Sequence, residues 1–249
     1  MNYINSEQMT KFLEDGYLVI KNVFDESELS QMQNLFDLLL EDAKSYEGES
    51  YLGQDCHYIF DEGRLNRIVW CGGRQEKLLE YGINKKITGP VSDLLKTKDI
   101  TQIINQAHFK LPGENVEFEW HQDSDHRRYD TDLWNDLGIN GSYIQSVVAI
   151  DKMTYDNGPL KALKNSHENG HLGLKKNPSQ IDRLVREYEE VVFEMNAGDV
   201  IFFGPYLIHS SSINTTDMQR RVFINGFCTK GANKKEYPGV GIGRELCIE

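Results

Sequence analysis

The sequence predicts a mainly β protein with a helical N-terminal buttress: a double-stranded β-helix, that is, a jelly-roll (cupin-like) barrel. Three observations predict this fold. Residues 1–98 carry strong helical patterns, whereas short β-rich segments separated by Gly and Pro turns begin near residue 100. The chain of 249 residues also has the length of one large barrel domain. We therefore expect a single domain over residues 1–249, with a helix-rich part over 1–98 and a jelly-roll core over about 99–230.

In the N-terminal part, the periodicity predicts helices over residues 10–16, 25–43 and 83–95, and a strand over 17–23. Gly16 ends the first helix. Asp25 and Glu28 have the spacing of a capping box at the start of the second. The third is expected to be interrupted near Gly89-Pro90, because proline removes a helical hydrogen bond. Residues 45–75 show no clear period, and we assign no element there.

In the C-terminal part, the expected strands cover residues 100–111, 117–121, 142–151, 191–195, 199–203, 207–211 and 220–229. Pro112-Gly113 marks the turn after the first of these strands. Residues 172–188 are expected to contain a loop and a helix. Residues 124–141 form a polar loop that is unusually long for a compact domain, and loops of this kind are often functional.

The composition argues against several kinds of partner. The chain has 27 basic and 39 acidic residues and a net charge of -12, which repels phosphate polyanions, so we expect no nucleic-acid partner. We find no apolar run of the roughly 20 residues that span a bilayer and no secretory signal pattern, so we expect no membrane partner and a cytoplasmic location. The four cysteines are widely spaced without a C-x-x-C pair, and free thiols are the simplest interpretation.

The chemically informative segment is Trp120-His121-Gln122-Asp123. On a strand, His121 and Asp123 project to the same face, because strand side chains alternate. His209, on a later predicted strand, can supply a second imidazole. Two histidines and one carboxylate on one side of an ion form the facial set that suits non-haem Fe(II) oxygenases. Two alternatives stay open: a zinc hydrolase that activates a bound water with the same three residues, and a catalytically silent barrel that binds a ligand.

An arginine follows the second histidine after a number of residues that corresponds to one β-hairpin. Arg220 lies eleven residues after His209 and offers the planar fork that binds a carboxylate of an organic acid. We prefer Arg220 to Arg221 because it shares parity with Val222 and Ile224. A slip of one residue in strand register would exchange the two arginines.

At this point the chain resembles the phytanoyl-CoA dioxygenase family of Fe(II)/2-oxoglutarate oxygenases, which includes ectoine hydroxylase, over nearly its whole length. The motifs that carry the resemblance are Phe12-x-x-x-Gly16, Phe109-Lys110-x-Pro112-Gly113 before Trp120-His121-Gln122-Asp123, Asn157-Gly158-Pro159-Leu160 with Ser166-His167, and His209-x-Ser211 followed by Arg220. One departure looks structural: relatives commonly have Pro-Gly-Ser-His where this chain has Lys164-Asn165-Ser166-His167, and we interpret His167 as a residue that stabilises a loop.

The resemblance implies roles for the site residues. His121, Asp123 and His209 are implied as the iron ligands and catalytic centre. Arg220 is implied as the partner of the distal carboxylate of 2-oxoglutarate, with Ser211 as a hydrogen-bonding group. Gln122 and His108 are weaker candidates for cosubstrate contacts. The implied reaction uses O2 and 2-oxoglutarate, releases succinate and CO2, and hydroxylates an unactivated C–H bond.

The substrate is less constrained, because this chain has Ser124-Asp125-His126-Arg127 where relatives have an aromatic pair. Arg127 and Arg128 could bind a carboxylate or phosphate, and Trp134 could close over a ligand as a lid. We expect a small-molecule substrate, namely a small polar metabolite such as an amino acid or a natural-product intermediate. An acyl-CoA hydroxylase of the same family is the alternative. The sequence does not indicate an oligomeric state.

Overall fold

The computed structural model describes residues 3–113 and 116–249. The first half contains helices α1 (Ser6–Asp15), α2 (Glu26–Ala43), α3 (Glu76–Gly82) and α4 (Lys85–Leu95), and strands β1 (Tyr17–Ile20), β2 (Tyr51–Leu52), β3 (His57–Asp61), β4 (Arg64–Val69) and β5 (Asp99–Lys110). The second half contains strands β6 (Phe118–His121), β7 (Tyr143–Ala149), β8 (Leu160–Leu163), β9 (Glu190–Val192), β10 (Val200–Phe203), β11 (His209–Ser211), β12 (Arg220–Thr229) and β13 (Arg244–Cys247), and helices α5 (Asp123–Arg127) and α6 (Ile181–Glu187).

The strands form two antiparallel sheets. The large sheet has the order β1-β10-β7-β12-β5-β4-β3-β2, with β13 paired to β5, and the small sheet has the order β6-β11-β8-β9. The predicted mainly β fold, a jelly-roll barrel with helical support, is confirmed. The large sheet also recruits four strands before residue 99 and one after residue 230.

The helices of the N-terminal part cover the outer face of the large sheet. The predicted capping box is confirmed, since the Asp25 carboxylate accepts a hydrogen bond from the Glu28 backbone and the Glu28 side chain accepts one from Asp25. The buried face of α2 includes Phe36, whose ring packs against Phe109 of β5 and Phe223 of β12 at centroid distances of 5.6 and 6.2 Å. Burial of these rings, rather than helix propensity, holds the helix on the sheet.

Two predictions about the N-terminal part were wrong. Residues 45–75 contain β3 and β4, whose alternation is hidden because a register shift between Ile59 and Phe60 interrupts their pairing. Helix α4 continues through Pro90, because both of its neighbouring turns are buried in the core and tertiary packing outweighs the lost hydrogen bond. The helix α3, immediately before it, was not predicted.

The cysteines are free thiols, of which Cys56, Cys71 and Cys228 are buried and Cys247 is exposed. Within residues 3–113 and 116–249, we find no helix with the length and apolar character that crossing a bilayer requires.

Gly16 joins α1 to the sheet and provides a test of this packing. Its φ is +86°, and a Cβ atom there would lie 2.5 Å from Nδ1 of His167. His167 Nε2 donates to the carbonyl of Leu13 over 3.0 Å, so the ring links the helix to the loop as the sequence predicted. We expect Gly16→Ala to lower the free energy of unfolding by about 2–3 kcal/mol, from left-handed backbone strain plus the clash.

The matched control is Gly63→Ala. Gly63 has a similar φ of +78° but nothing within 4 Å of a Cβ atom. Backbone strain alone predicts a loss of only about 1 kcal/mol there. Urea unfolding of both variants measures the difference, and equal losses would contradict a specific contact between Gly16 and His167.

Candidate active site

The three predicted ligand residues come together where strand β11 of the small sheet pairs with the edge strand β6. His209 of β11 is the cross-strand partner of His121 of β6, and their ring centroids lie 4.2 Å apart. One possible ligand atom from each of His121, Asp123 and His209 lies within 4.8 Å of the others. The structure therefore places two imidazoles and a carboxylate in reach of one ion.

Asp123 lies on a different element from the one that the sequence predicted. Strand β6 ends at His121, and Asp123 is the first residue of helix α5. Gln122 between them keeps extended backbone angles, with φ -113° and ψ 140°, so the alternation of side chains continues for one more residue. Asp123 therefore still projects to the side of His121.

Both imidazoles are oriented by backbone carbonyl groups. Nδ1 of His121 donates to the carbonyl of Glu119 over 2.7 Å, and Nδ1 of His209 donates to the carbonyl of Leu207 over 3.0 Å. A proton on Nδ1 leaves the lone pair of Nε2 free in each ring. This is the tautomer that a metal requires, and it is present before any ion binds.

The Asp123 carboxylate has the environment of a metal ligand. It is buried, and its Oδ2 atom has no hydrogen-bond partner among the residues that the structure describes. Burial raises the pKa of Asp123, but Arg127 and the imidazoles of His209, His121 and His126 outweigh it and hold the pKa below its usual range. A buried anionic oxygen without a partner is costly unless a cation neutralises it, so the residues fit a divalent metal ion.

The burial of His209 predicts a pH dependence of stability. Burial, followed by the neighbouring His121, lowers the pKa of His209 to about 4, compared with about 6.5 in an unfolded chain. Between these values the unfolded chain binds a proton that the folded protein does not, so stability falls as the pH falls from about 6.5 to about 4.

We expect metal-free protein to lose up to about 1.4 kcal/mol of unfolding free energy per pH unit from this group within that window. His209→Gln removes the titrating ring and should lose less. Urea unfolding at pH 7, 6 and 5 in the presence of a chelator measures both slopes. An identical slope in the two proteins would show that His209 titrates normally.

A cavity of about 920 Å³ lies between the two sheets and includes the three ligand residues in its lining. Its walls come from inward-facing residues of the large sheet, from β6 and β11, and from the segment after β12. Apolar side chains such as Phe203, Val147 and Ile224 alternate with polar groups along these strands. The cavity is therefore large enough for a small metabolite beside a cosubstrate.

Arg220 and Arg221 point to opposite faces of β12. Arg220 lines the cavity, is 4% exposed, and donates to the carbonyl of Gly158, while its Nε has no partner within the described residues. Burial lowers the pKa of Arg220 to about 10. Arg221 lies on the outer face, where its Nε donates to Asp151 over 2.8 Å and it also pairs with Asp37. Of these two arginines, Arg220 is the one that offers donors to a cavity ligand.

The other predicted cosubstrate contacts differ in their placement. Ser211 and His108 both line the cavity, and Nε2 of His108 lies 2.8 Å from Oε1 of Gln106.

The prediction for Gln122 was wrong. Its side chain is fully buried and bonded to backbone groups: it donates to Gly170 and Tyr206 and accepts from Leu172. These three bonds fix the extended link between His121 and Asp123, so Gln122 supports the ligands from behind.

The three weak candidates for substrate contacts also separate. Arg127 is buried and lines the cavity. Arg128 has a left-handed backbone and an exposed side chain, which lies outside the cavity. Trp134 is 6% exposed and stacks on Tyr129 at a centroid distance of 4.6 Å within a core cluster, so it cannot act as a lid. The predictions for Arg128 and Trp134 as substrate contacts were wrong.

Several polar groups in or beside the cavity were not predicted from the sequence. Arg67 of β4 and Tyr237 and Lys235 of the C-terminal segment line the cavity, and Lys110 lies buried beside Arg220 on β5. Burial, followed by Arg220, lowers the pKa of Lys110 to about 6, and its Nζ donates to the carbonyl of Ser211 over 3.2 Å. Alternation from His108 could have indicated that Lys110 faces inward. Nothing in the pattern of residues 230–243 indicates a contact with the site.

Comparison with known proteins agrees with this geometry. The family model described as phytanoyl-CoA dioxygenase (PhyH) matches residues 12–222. The chain belongs to the PhyH family. It is accordingly a non-haem iron, 2-oxoglutarate-dependent dioxygenase, which uses Fe(II), 2-oxoglutarate and O2.

One curated relative of this PhyH-family enzyme is the 2-aminoethylphosphonate dioxygenase of uncultured bacterium HF130_AEPn_1, which is 24% identical over 231 residues, covering 90% of this chain and 81% of the relative. Among solved structures, EctD from S. alaskensis with 2-oxoglutarate and 5-hydroxyectoine has a TM-score of 0.79 at 18% identity, over 100% of this chain and 88% of EctD. The 2-oxoglutarate-dependent carbocyclase SnoK from nogalamycin biosynthesis has a TM-score of 0.76 at 15% identity, over 99% and 97% of the two chains. At these identities the structural likeness shows the fold.

Proposed function

We propose that this enzyme hydroxylates an unactivated C–H bond of a small polar metabolite, such as an amino acid or a natural-product intermediate, and releases succinate and CO2. The observation that carries the proposal is one cavity in which three convergent ligand side chains lie together with an arginine that has no carboxylate partner among the described residues. A zinc hydrolase would need the three ligands but would have no use for a buried, unpaired Arg220.

In this proposal His121, Asp123 and His209 hold the iron. Iron and 2-oxoglutarate, when bound, supply the activation of O2 that oxidises the substrate. The Arg220 fork binds the distal carboxylate of 2-oxoglutarate, with Ser211 and His108 as further polar contacts on the same part of the cavity. Apolar side chains such as Phe203, which lies 4.6 Å from the His209 ring, exclude water from the metal. Asp123 would hold the iron together with the two histidines, and a carboxylate at this position would favour hydroxylation of the substrate.

The nature of the substrate is supported by the lining of the cavity. A volume of about 920 Å³ with a mixed polar and apolar lining suits a small metabolite beside 2-oxoglutarate. A curated relative acts on 2-aminoethylphosphonate, which is a small polar molecule. We disfavour the acyl-CoA alternative because the large CoA group would extend out of the cavity past the exposed carboxylates of Glu117 and Glu119, which would repel its phosphates.

We also propose that residues 1–249 act as a single oxygenase domain in the cytoplasm. Pairing of β1 with β10 and of β4 with β5 joins the N-terminal part to the large sheet, which supports a single domain. The four free cysteines are consistent with a reducing compartment.

The test is a screen of polar metabolites for succinate release that depends on the substrate, followed by mass spectrometry of each hit under 18O2. We expect a product that gains one oxygen atom derived from O2. Anaerobic titration with Fe(II) and 2-oxoglutarate should also give a weak visible charge-transfer band. Absence of that band in folded protein, or turnover that is indifferent to O2, would contradict the proposed function.

A further inference from the structure

Arg127 is a second buried cation of the cavity, and tyrosine rings surround its guanidinium. Its side chain lines the cavity floor, and its guanidinium lies over the rings of Tyr143 and Tyr237 at 5.0 and 5.8 Å. One terminal nitrogen donates to the hydroxyl of Tyr143 over 3.1 Å, and the Nε atom has no partner among the described residues. Among the described residues, its ion-pair partner is Asp123, at 3.9 Å, which is already assigned to the iron. With Asp123 bound to a metal, Arg127 would have no other ion-pair partner within that part of the chain.

Lys235 brings a second positive charge to the same region. It lines the cavity, its Nζ donates to the carbonyl of His126 over 3.2 Å, and it lies over the ring of Tyr237 at 4.7 Å. Burial, followed by the charges of Arg127, Arg128 and Lys175, lowers the pKa of Lys235 to about 8. Repulsion among these cations is relieved when an anion binds between them.

Tyr237 adds a hydrogen-bond donor between the two cations. Its ring contacts both Arg127 and Lys235, and it also lines the cavity. Its hydroxyl is buried beside the Arg127 guanidinium, which can donate to its oxygen, and no acceptor takes the hydroxyl proton within residues 3–113 and 116–249. Two unsatisfied donors, Nε of Arg127 and the Tyr237 hydroxyl, therefore lie in a part of the cavity that holds an excess of positive charge. Buried donors of this kind normally have a partner, which here can be a ligand.

This region is separate from the part of the cavity assigned to 2-oxoglutarate. Arg220 is the first residue of β12, whereas Tyr143, which binds Arg127, pairs with Cys228 near the other end of that strand. Eight residues of strand correspond to about 26 Å between the two backbone positions. The charges that act on His108 are Arg67, Arg220, Lys110 and His121, while those that act on Lys235 are Arg127, Arg128 and Lys175. The cavity thus has one cationic region around Arg220 and another around Arg127 and Lys235, and we assign only the first to the cosubstrate.

We infer that Arg127, Lys235 and Tyr237, which we call the anion subsite, bind an acidic group of the primary substrate, either a carboxylate or a phosphonate or phosphate. The inference rests on the proposed function, because it assigns the substrate to the same cavity. It narrows the proposed class of substrate from small polar metabolites to organic acids. The anionic group of such an acid would bind at the anion subsite, and one of its C–H bonds would face the metal. The chain as a whole carries a net charge of -12, so this excess of positive charge is local.

The test uses acetate and methylphosphonate, which carry the two kinds of anion on a single methyl group. Isothermal titration calorimetry measures their binding to anaerobic holoenzyme that is saturated with Fe(II) and 2-oxoglutarate, at constant ionic strength. We expect saturable binding of at least one probe to the wild type. Lys235→Glu should weaken it roughly tenfold or more, and the isosteric Tyr237→Phe should weaken it several-fold.

Lys230→Glu is the matched control, because Lys230 undergoes the same charge reversal but is exposed, pairs with Glu245 and lies outside the cavity. It should bind the probes as the wild type does. Preference for methylphosphonate over acetate, or the reverse, identifies the acidic group of the substrate. No saturable binding by the wild type, or equal weakening in Lys230→Glu and Lys235→Glu, would overturn the inference.

The charge-transfer band of Fe(II) with 2-oxoglutarate, recorded for each protein, separates this inference from the proposed function. A wild type that shows the band but binds neither probe leaves the dioxygenase intact and removes the anion subsite. A folded wild type that lacks the band removes the proposed function itself.

Discussion

Asp123→Ala is expected to abolish succinate production that depends on substrate. The substitution removes the only carboxylate of the proposed ligand set and leaves two imidazoles, which hold a ferrous ion poorly. Loss of partners outside a coordination shell already costs roughly 10- to 100-fold in metal affinity or activity, so loss of a ligand should exceed about a hundredfold. The measurements are iron content after anaerobic loading and succinate release with a substrate from the screen.

The same substitution also leaves the buried Arg127 without its carboxylate at 3.9 Å, so the fold must be checked by thermal unfolding. Asp132→Ala is the matched control, because Asp132 is an exposed aspartate in the segment that follows the site. It should load iron and turn over normally. Turnover of Asp123→Ala at the rate of the wild type would refute the assignment of the ligands.

The pair Arg220→Met and Arg221→Met should separate cosubstrate binding from stability. Loss of a bidentate, charge-assisted contact to the distal carboxylate should weaken 2-oxoglutarate binding roughly a hundredfold or more. Because Arg220 is buried without a carboxylate partner among the described residues and loses only its bond to the Gly158 carbonyl, its replacement by an apolar side chain should lower the melting temperature little.

Arg221→Met should do the opposite. It breaks the contacts to Asp151 and Asp37 on the outer face and should lower the free energy of unfolding by roughly 3 kcal/mol, while 2-oxoglutarate affinity changes little. Titration of the charge-transfer band and urea unfolding give the two readouts. Loss of cosubstrate binding in Arg221→Met, together with its retention in Arg220→Met, would contradict the assignment of Arg220 as the residue of β12 that binds the cosubstrate.

Several features of the site could be predicted because they depend on local periodicity. Alternation along a strand determines that Arg220 and Val222 share one face and that Arg221 takes the other, and the structure has this arrangement. Alternation also places Asp123 beside His121, although the strand ends between them. The caps at Gly16 and Asp25 are local in the same sense, because each involves backbone groups within four residues.

Other features could not be predicted because they depend on contacts between distant segments. Trp134 is of a residue type that suits a lid. Its side chain, however, stacks on Tyr129 and is buried in the core, outside the cavity. Gln122 is of a residue type that suits ligand binding. Its side-chain amide, however, is hydrogen-bonded to three backbone groups from two later loops. In both cases, contacts with distant segments bury the side chain, and the local sequence pattern does not indicate these contacts.

The sequence by itself determined the helix caps, the strand parity and the presence of two histidines, one aspartate and one arginine in β context, since these follow from the stereochemistry of neighbouring residues. Only the tertiary structure decided that His209 of β11 pairs with His121 of β6. It also decided that Gln122 supports the ligand residues instead of binding the cosubstrate, and that Lys235 and Tyr237 reach the cavity beside Arg127. The physical reason is that long-range pairing depends on the total burial of many side chains, whereas periodicity reports only which face of its own element a residue occupies.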